Sequence, residues 1–306
     1  MDSIGLLAYG EMGLPALKGL KKKFDVLWIV TPPKDDGASS LLPVEIFSRK
    51  NGIKIYQTNN NKEINDVVKK SKPKAVIIAT YNKTIPAETL KLSKFINIHH
   101  GDLPRWRGRA NINWAIILGR KEIGLAIHQA VAQFDDGPVY KMHLIPITEK
   151  DTVATVYNKV NKILENQLGG TVKKILSGEL KGVKQIGQAT YCCTRLPQDG
   201  LIDWQKTSLE IDRLIRAVTK PYPGAFTFFE GKRMIVWTGK IPKNPRIFEG
   251  RIPGRVVGLY PDGVEVLSGD SSIIIKNINY ENQEKNARDV IKSVKKTLDF
   301  PWRHWD

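Results

Sequence analysis

The sequence predicts an α/β fold, a mostly parallel sheet with helices on both faces, followed by a smaller β-rich domain. Three observations carry this. Short, unbroken apolar runs alternate with helical patterns through the first half of the chain. Those runs are too continuous for strands with one wet face, so they fit a sheet buried on both sides. Beyond Trp204 the pattern changes to short β-rich runs, several separated by glycine-containing turns, as in a small barrel or sandwich.

The elements follow in order. Ile4–Ala8 reads as the first strand, and Tyr9-Gly-Glu-Met-Gly13 as a turn into a helix ending at about Lys22. Val26–Val30 is a second strand, stopped by Thr31-Pro-Pro33. A helix over Leu42–Asn51 closes on Gly52, and Ile53–Tyr56 is a short strand. Ile64–Lys70 is helical, Ala75–Ala79 is a fully apolar strand, and a helix from Ala87 to about Leu92 precedes the strand Phe95–His99. Asn111–Leu118 is a helix ended by Gly119. Leu125–Val131 and Val139–Ile147 are strands joined through the turn chemistry of Asp136-Gly-Pro138. Asp151-Thr152 caps a long helix to about Ser177, whose apolar positions Val156, Val160, Ile163, Leu164, Leu168, Val172 and Ile175 lie near helical spacing. In the second part a helix from Thr207 to about Val218 precedes strands at Ala225–Phe229, Met234–Thr238, Arg255–Leu259, Val264–Leu267 and Ile273–Ile278. The boundary falls near 204, giving domains 1–204 and 205–306.

With 306 residues, 41% hydrophobic and 26% charged, the chain can bury a proper core. No apolar run approaches the roughly 20 residues that cross a bilayer, and no basic segment precedes the apolar N-terminus, so a cytoplasmic protein without membrane insertion is expected. The two cysteines, Cys192 and Cys193, are adjacent; disulfide geometry disfavours a bridge between them and two thiols do not complete a zinc site. The net charge of +17 admits nucleic acid, nucleotide phosphates or anionic small molecules as partners. The excess is spread along the chain rather than gathered in a basic tail, which weakens the case for RNA.

The chemistry candidates gather after the fifth strand. Tyr9-Gly-Glu-Met-Gly13 offers only two of the three glycines of a dinucleotide fingerprint, with no acidic residue clearly ending the second strand, and reads as a tight turn. Asn97 and His99 alternate onto one face at the carboxyl end of an apolar strand, where open α/β sheets bind ligands. An amide can donate to an oxyanion, an imidazole can donate or accept a proton, and a carboxylate such as Asp135 can orient the imidazole. Together these groups suit attack by an amine on a carbonyl carbon. An Asn-x-His at a strand end is also an ordinary structural feature, and His100, His128 and His143 are read as such, with no metal spacing among them.

The run NIHHGDLPRWRGRANINWAII, followed by Lys121-Glu-Ile-Gly124 and FDDGPVY, resembles the 10-formyltetrahydrofolate-dependent formyltransferases. Asp199–Trp204 and Arg216–Ala225 resemble the C-terminal domain of that family, so the likeness covers nearly the whole chain. It implies a Rossmann-like formyltransferase fold with an OB-like β-barrel behind it. It implies Asn97, His99 and Asp135 as the catalytic set, with Asp135 matching because it precedes Gly137 by two residues. Asn97 and His99 would hold a tetrahedral oxyanion, while Asp135 would fix His99 and help accept a proton. The cosubstrate 10-formyltetrahydrofolate would be cradled by Tyr81, Ile85, Pro86, Gln133, Phe134 and Asp136. Tyr9, Met12, Arg107, Arg109 and Arg195 would contact the acceptor. His100-Gly-Asp102 replaces the commoner serine-bearing loop of the family.

Two acceptors compete. A nucleotide-linked amino sugar is favoured by AYGEMG, by RGRANINW and Arg195–Trp204, and by the short, acid-bearing loop Pro32–Ser40. The alternative is methionyl initiator tRNA, which the charge favours and whose phosphate contacts would be salt-sensitive. A homodimer is compatible with the sequence but not indicated by it.

Overall fold

Five strands in the first part of the chain pair side by side in parallel: β1 (Ser3–Ala8), β2 (Asp25–Thr31), β3 (Lys54–Gln57), β4 (Ala75–Ala79) and β5 (Lys94–His99). This is a computed structural model, and it describes residues 1–8, 12–33, 42–81 and 83–298. Two more strands, β7 (Glu122–Gln129) and β8 (Val139–Pro146), extend the same sheet antiparallel, after a two-residue strand β6 (Arg107–Gly108) that lies outside it. The order is β3-β2-β1-β4-β5-β7-β8. The sheet is therefore mixed, parallel through its centre and antiparallel at one edge. Apolar runs alone do not separate these cases, because β7 is also buried on both faces, from Ile123 to His128.

The helices are α1 (Gly13–Lys21), α2 (Leu42–Lys50), α3 (Asn61–Ser71), α4 (Ala87–Leu90) and α5 (Asn111–Ile117). The core beside the parallel strands is built from Leu7, Trp28, Val30, Ile64, Val68, Val76, Ile78, Ile85 and Phe95. Trp28 donates to Ser71 Oγ at 2.8 Å, so its polar edge is satisfied inside that core.

The long helix expected from Asp151 to Ser177 is interrupted. It runs as α6 (Val153–Ile163), a five-residue π turn (Leu164–Leu168), and α7 (Gly169–Leu176). The cause is close packing on α1. A Cβ at Gly19 would come within 2.2 Å of the Leu164 carbonyl oxygen, and one at Gly169 within 2.3 Å of the Gly19 carbonyl oxygen. Glycine on both sides lets the backbones approach, and the extra residue of the π turn keeps the apolar stripe aimed at the core.

The chain divides into two compact units. The first holds Met1–Asn111, Glu122–Pro146 and Val156–Cys193; the second holds Ile112–Lys121, Ile147–Thr155 and Thr194–Asp306. In the second, α8 (Ser208–Val218) starts on a capping box between Thr207 and Glu210. Its strands form two four-stranded antiparallel sheets. One is β10 (Ala225–Phe229), β11 (Lys232–Val236), β16 (Asn277–Tyr280) and β17 (Gln283–Asn286). The other is β12 (Gly239–Lys240), β15 (Ser272–Ile275), β14 (Gly263–Leu267) and β13 (Val256–Tyr260). No helix among the described residues is long and apolar enough to cross a membrane.

Candidate active site

Strand order runs outward from β1 in both directions, so the crevice of this sheet opens at the carboxyl ends of its central strands. β5 ends there with Asn97 and His99 on one face. In the antiparallel register between β5 and β7, Asn97 lies opposite His128. The three polar side chains thus share one patch of sheet, because directly opposed residues and residues two apart face the same way.

The loop after β7 brings the carboxylate. Asp135 adopts a left-handed backbone, φ +52°, and is 5% exposed. Its Oδ2 lies 3.3 Å from His99 Nδ1 and accepts from the Gly108 backbone N–H at 3.1 Å. Its Oδ1 accepts from Asn97 Nδ2 at 3.3 Å and lies 3.5 Å from His128 Nε2. Asn97 Nδ2 is also 3.0 Å from His128 Nε2. Asn97, His99 and Asp135, distant in sequence, therefore meet around one carboxylate, together with a fourth member, His128.

The other nitrogen of each imidazole is tied to backbone. His99 Nε2 lies 2.7 Å from the Trp106 carbonyl oxygen, and His128 Nδ1 lies 2.8 Å from the Gln129 carbonyl oxygen. A carbonyl only accepts, so both nitrogens carry hydrogen. Asn111 also donates to the Trp106 carbonyl, fixing the loop between β5 and α5 above His99. Burial holds the His99 pKa below its ordinary 6.5, against the opposing pull of the Asp135 charge. Burial pushes Asp135 upward, but its hydrogen bond with His128, the charge of His99 and the Gly108 N–H outweigh it, leaving the carboxyl below 3.8. His100 is pushed down to about 3 by burial and by His99, and its ring meets Tyr157 edge-on.

The Asp135 turn is braced from two further sides. Gln185 Nε2 donates to the carbonyl oxygens of Asp135 and Gly137 at 2.8 and 2.9 Å. Arg107 pairs with Asp136 and donates to Gln185 Oε1 at 2.8 Å. A Cβ at Gly137 would lie 1.8 Å from the Gln129 carbonyl oxygen, so the turn closes only with glycine there. A left-handed aspartate held in this way is the kind of strain found where a side chain must be aimed.

The remaining candidate residues are dispersed. Phe134 is 49% exposed, and Gln133 is exposed beside it. Asp136 is partly exposed and engaged by Arg107. Ile85 and the partly buried Tyr81 pack on the sheet core, and Pro86 starts α4. Arg107, expected to face the acceptor, is 7% exposed and turned inward to Asp136 and Gln185. Met12, also expected at the acceptor, is 2% exposed in the core at the start of α1. Arg109 is exposed. In the second unit Arg195 lies 4.8 Å from the Trp114 ring centroid and donates to the Asp199 carbonyl at 2.6 Å. Tyr9 and the loop from Lys34 to Ser40 lie outside the described residues.

Sequence reasoning passed over His128, Asn111 and Gln185. Their signals were faint: His128 becomes special only through the antiparallel register of β7, which no local pattern fixes. Among the described residues no group of three or more His, Cys, Asp or Glu could hold a metal ion.

The donor set fits a formyl carbonyl and an incoming amine. A partly buried amide can face the oxygen, and the imidazole with its buried carboxylate can hold a proton. Phe134, next to Asp135, keeps half of its aromatic surface exposed.

Comparison with known proteins agrees. Residues 26–169 match the formyl transferase family model and residues 196–295 match the formyl transferase C-terminal domain. The chain is 34% identical over 286 residues to methionyl-tRNA formyltransferase of Caldanaerobacter subterraneus subsp. tengcongensis, covering 90% of this chain and 91% of that one. It is 31% identical over 310 residues to the bifunctional polymyxin resistance protein ArnA of Wigglesworthia glossinidia brevipalpis, covering 95% of this chain and 47% of that one. Among solved structures, WlaRD, a sugar 3N-formyl transferase crystallised with dTDP and 5-N-formyl-THF, has the same fold, with a TM-score of 0.65 at 20% identity over 90% of this chain and 97% of its own.

Proposed function

The chain belongs to the formyl transferase family, and on that premise we propose that residues 1–204 carry out formyl transfer from 10-formyltetrahydrofolate to a primary amine at the site formed by Asn97, His99 and Asp135. The observation that supports it most is the meeting of His99 and Asp135 beside Asn97.

The bound donor supplies an electrophilic formyl carbon whose oxygen gains negative charge as the amine attacks. Asn97, the partly exposed member, places an amide N–H at that oxygen, while the His99 Nε2–H stays on the Trp106 carbonyl and holds the ring in place. The amine gives up a proton as it bonds. The His99–Asp135 pair takes it up, the Nδ1···Oδ2 contact becomes a proton-bridged ion pair, and the proton passes to the carrier nitrogen as its bond to the formyl carbon breaks and tetrahydrofolate departs. Phe134, Gln133 and the chain around Tyr81, Ile85 and Pro86 hold the carrier.

For the acceptor, the relatives reverse the order reached from the sequence. Methionyl-tRNA formyltransferase matches over nine tenths of both chains, so initiator methionyl-tRNA is the first reading. The net charge of +17 is in keeping with a phosphate-rich acceptor. A nucleotide-linked amino sugar is the second reading, supported by RGRANINW and the short acid-bearing loop after β2.

Incubating the protein with 10-formyltetrahydrofolate and either charged initiator tRNA or a panel of nucleotide amino sugars decides between them. Formylmethionyl-tRNA is the expected product, and it should fade steeply with added salt. Formylated sugar without formylated tRNA moves the second reading to first place. Formylation of neither, with active donor, removes the proposed function.

A further inference from the structure

We propose that His128 is a positioning residue of the reaction, resting on the catalytic reading above: the hydrogen on its Nε2 sets whether Asn97 has an N–H free for the formyl oxygen.

Asn97 has two amide hydrogens, and its Nδ2 faces two protein atoms, Asp135 Oδ1 at 3.3 Å and His128 Nε2 at 3.0 Å. The amide cannot be turned over, because its oxygen would then face a carboxylate oxygen that only accepts. His128 Nδ1–H is committed to the Gln129 carbonyl at 2.8 Å. The neutral ring therefore has a lone pair at Nε2, accepts from Asn97, and offers nothing to Asp135. In that state both Asn97 hydrogens are engaged.

Protonation of His128 from solvent reverses this. Nε2–H then points to Asp135 Oδ1, 3.5 Å away, and no longer accepts from Asn97. One Asn97 hydrogen is released into the site while the amide stays anchored to Asp135 by the other. The charged and titratable groups near His128 lie on several elements. Asp135 on the following loop is anionic, and its hydrogen bond with His128 helps hold its carboxyl low. His99 on β5 stands edge-on with ring centroids 6.2 Å apart and would oppose a second positive charge. Arg107 acts on His99. On β8 the residue opposite His128 is Val139, which carries no charge.

The donor-ready state thus has His128 charged and is lost as pH rises. Two measurements on the full chain test this. Nitrogen-15 NMR of imidazole-labelled protein should show neutral His128 with its hydrogen on Nδ1 and a bare Nε2; a neutral form protonated at Nε2 overturns the inference. His128→Phe keeps the ring volume and removes both nitrogens, so Asn97 is no longer held by an acceptor there. The ratio of variant to wild-type kcat/KM cancels the ionisation of the amine and should rise about tenfold or more as pH rises. A ratio flat with pH overturns the inference. His99→Ala in the same assay separates the two levels. If it loses turnover while the His128→Phe ratio is flat, only the role of His128 falls. If it keeps wild-type turnover, the catalytic reading falls, and the NMR result still decides the His128 tautomer.

Discussion

Asp135 Oδ2 lies 3.3 Å from His99 Nδ1, and the same carboxylate reaches Asn97 through its other oxygen. A strand end and a distant loop contribute to one charge cluster, largely buried and braced by Gly108 and Gln185. The consequences of that placement can be measured.

Asp135 and Asp136 are adjacent in sequence and unlike in setting. Asp135 is buried against two imidazoles, while Asp136 is partly exposed and pairs with Arg107. Asp135→Asn should lower kcat/KM for formyl transfer by about 10²-fold or more, and Asp136→Asn by less than about tenfold. Steady-state kinetics of the two variants checks this, and the reverse ranking would move the catalytic carboxylate by one residue.

The brace on the Asp135 turn should be visible in both stability and rate. Gln185→Ala leaves two carbonyls of the turn without their donor, at a cost of about 1 kcal/mol each. Thermal unfolding should shift down and kcat should fall, because the carboxylate loses its fixed aim. A variant with a lowered Tm and unchanged kcat would make Gln185 merely structural.

Gly108 has φ +100°, and a Cβ there would lie 2.3 Å from the Cys192 carbonyl oxygen. β6 pairs at that point with Tyr191–Cys192, a short strand β9, and the Gly108 N–H holds Asp135. Gly108→Ala should cost about 2 kcal/mol or more and displace that N–H. Denaturant unfolding together with kcat/KM tests it; a variant as stable and active as wild type would show that the approach is not needed.

Much of this was legible in the sequence. The unbroken apolar runs at Ala75–Ala79 and Phe95–His99 marked buried strands, and Asn97 and His99 were readable as a same-face pair because strand side chains alternate. Their partner Asp135 was a candidate by its chemistry, and the family resemblance singled it out over Asp136. The antiparallel edge was hidden, since β7 is as apolar as a parallel strand, and with it the pairing that sets His128 beside Asn97. The inward turn of Arg107 was hidden too: an arginine in a loop reads as a ligand contact until a partly exposed aspartate and a glutamine claim it. The π turn at Leu164–Leu168 follows from glycine contacts across two helices, which apolar spacing along one helix does not reveal.

Stability should depend on pH with a definite sign. Burial lowers the pKa of His99 and His100, the latter to about 3, so the unfolded chain binds more protons than the folded one below about pH 6.5. Stability is therefore full above that value and is lost as pH falls from about 6.5 toward 3. Tm measured from pH 7.5 downward should drop through this window. A Tm that stays level or rises between about pH 6.5 and 5 would contradict it.

The most direct single measurement is the rate of formyl transfer from 10-formyltetrahydrofolate by His99→Ala beside wild type, with circular dichroism confirming that the variant is folded. A fall in kcat/KM of about 10²-fold or more is expected, because the imidazole that partners Asp135 is gone. A folded variant turning over within a factor of a few of wild type would place the chemistry elsewhere.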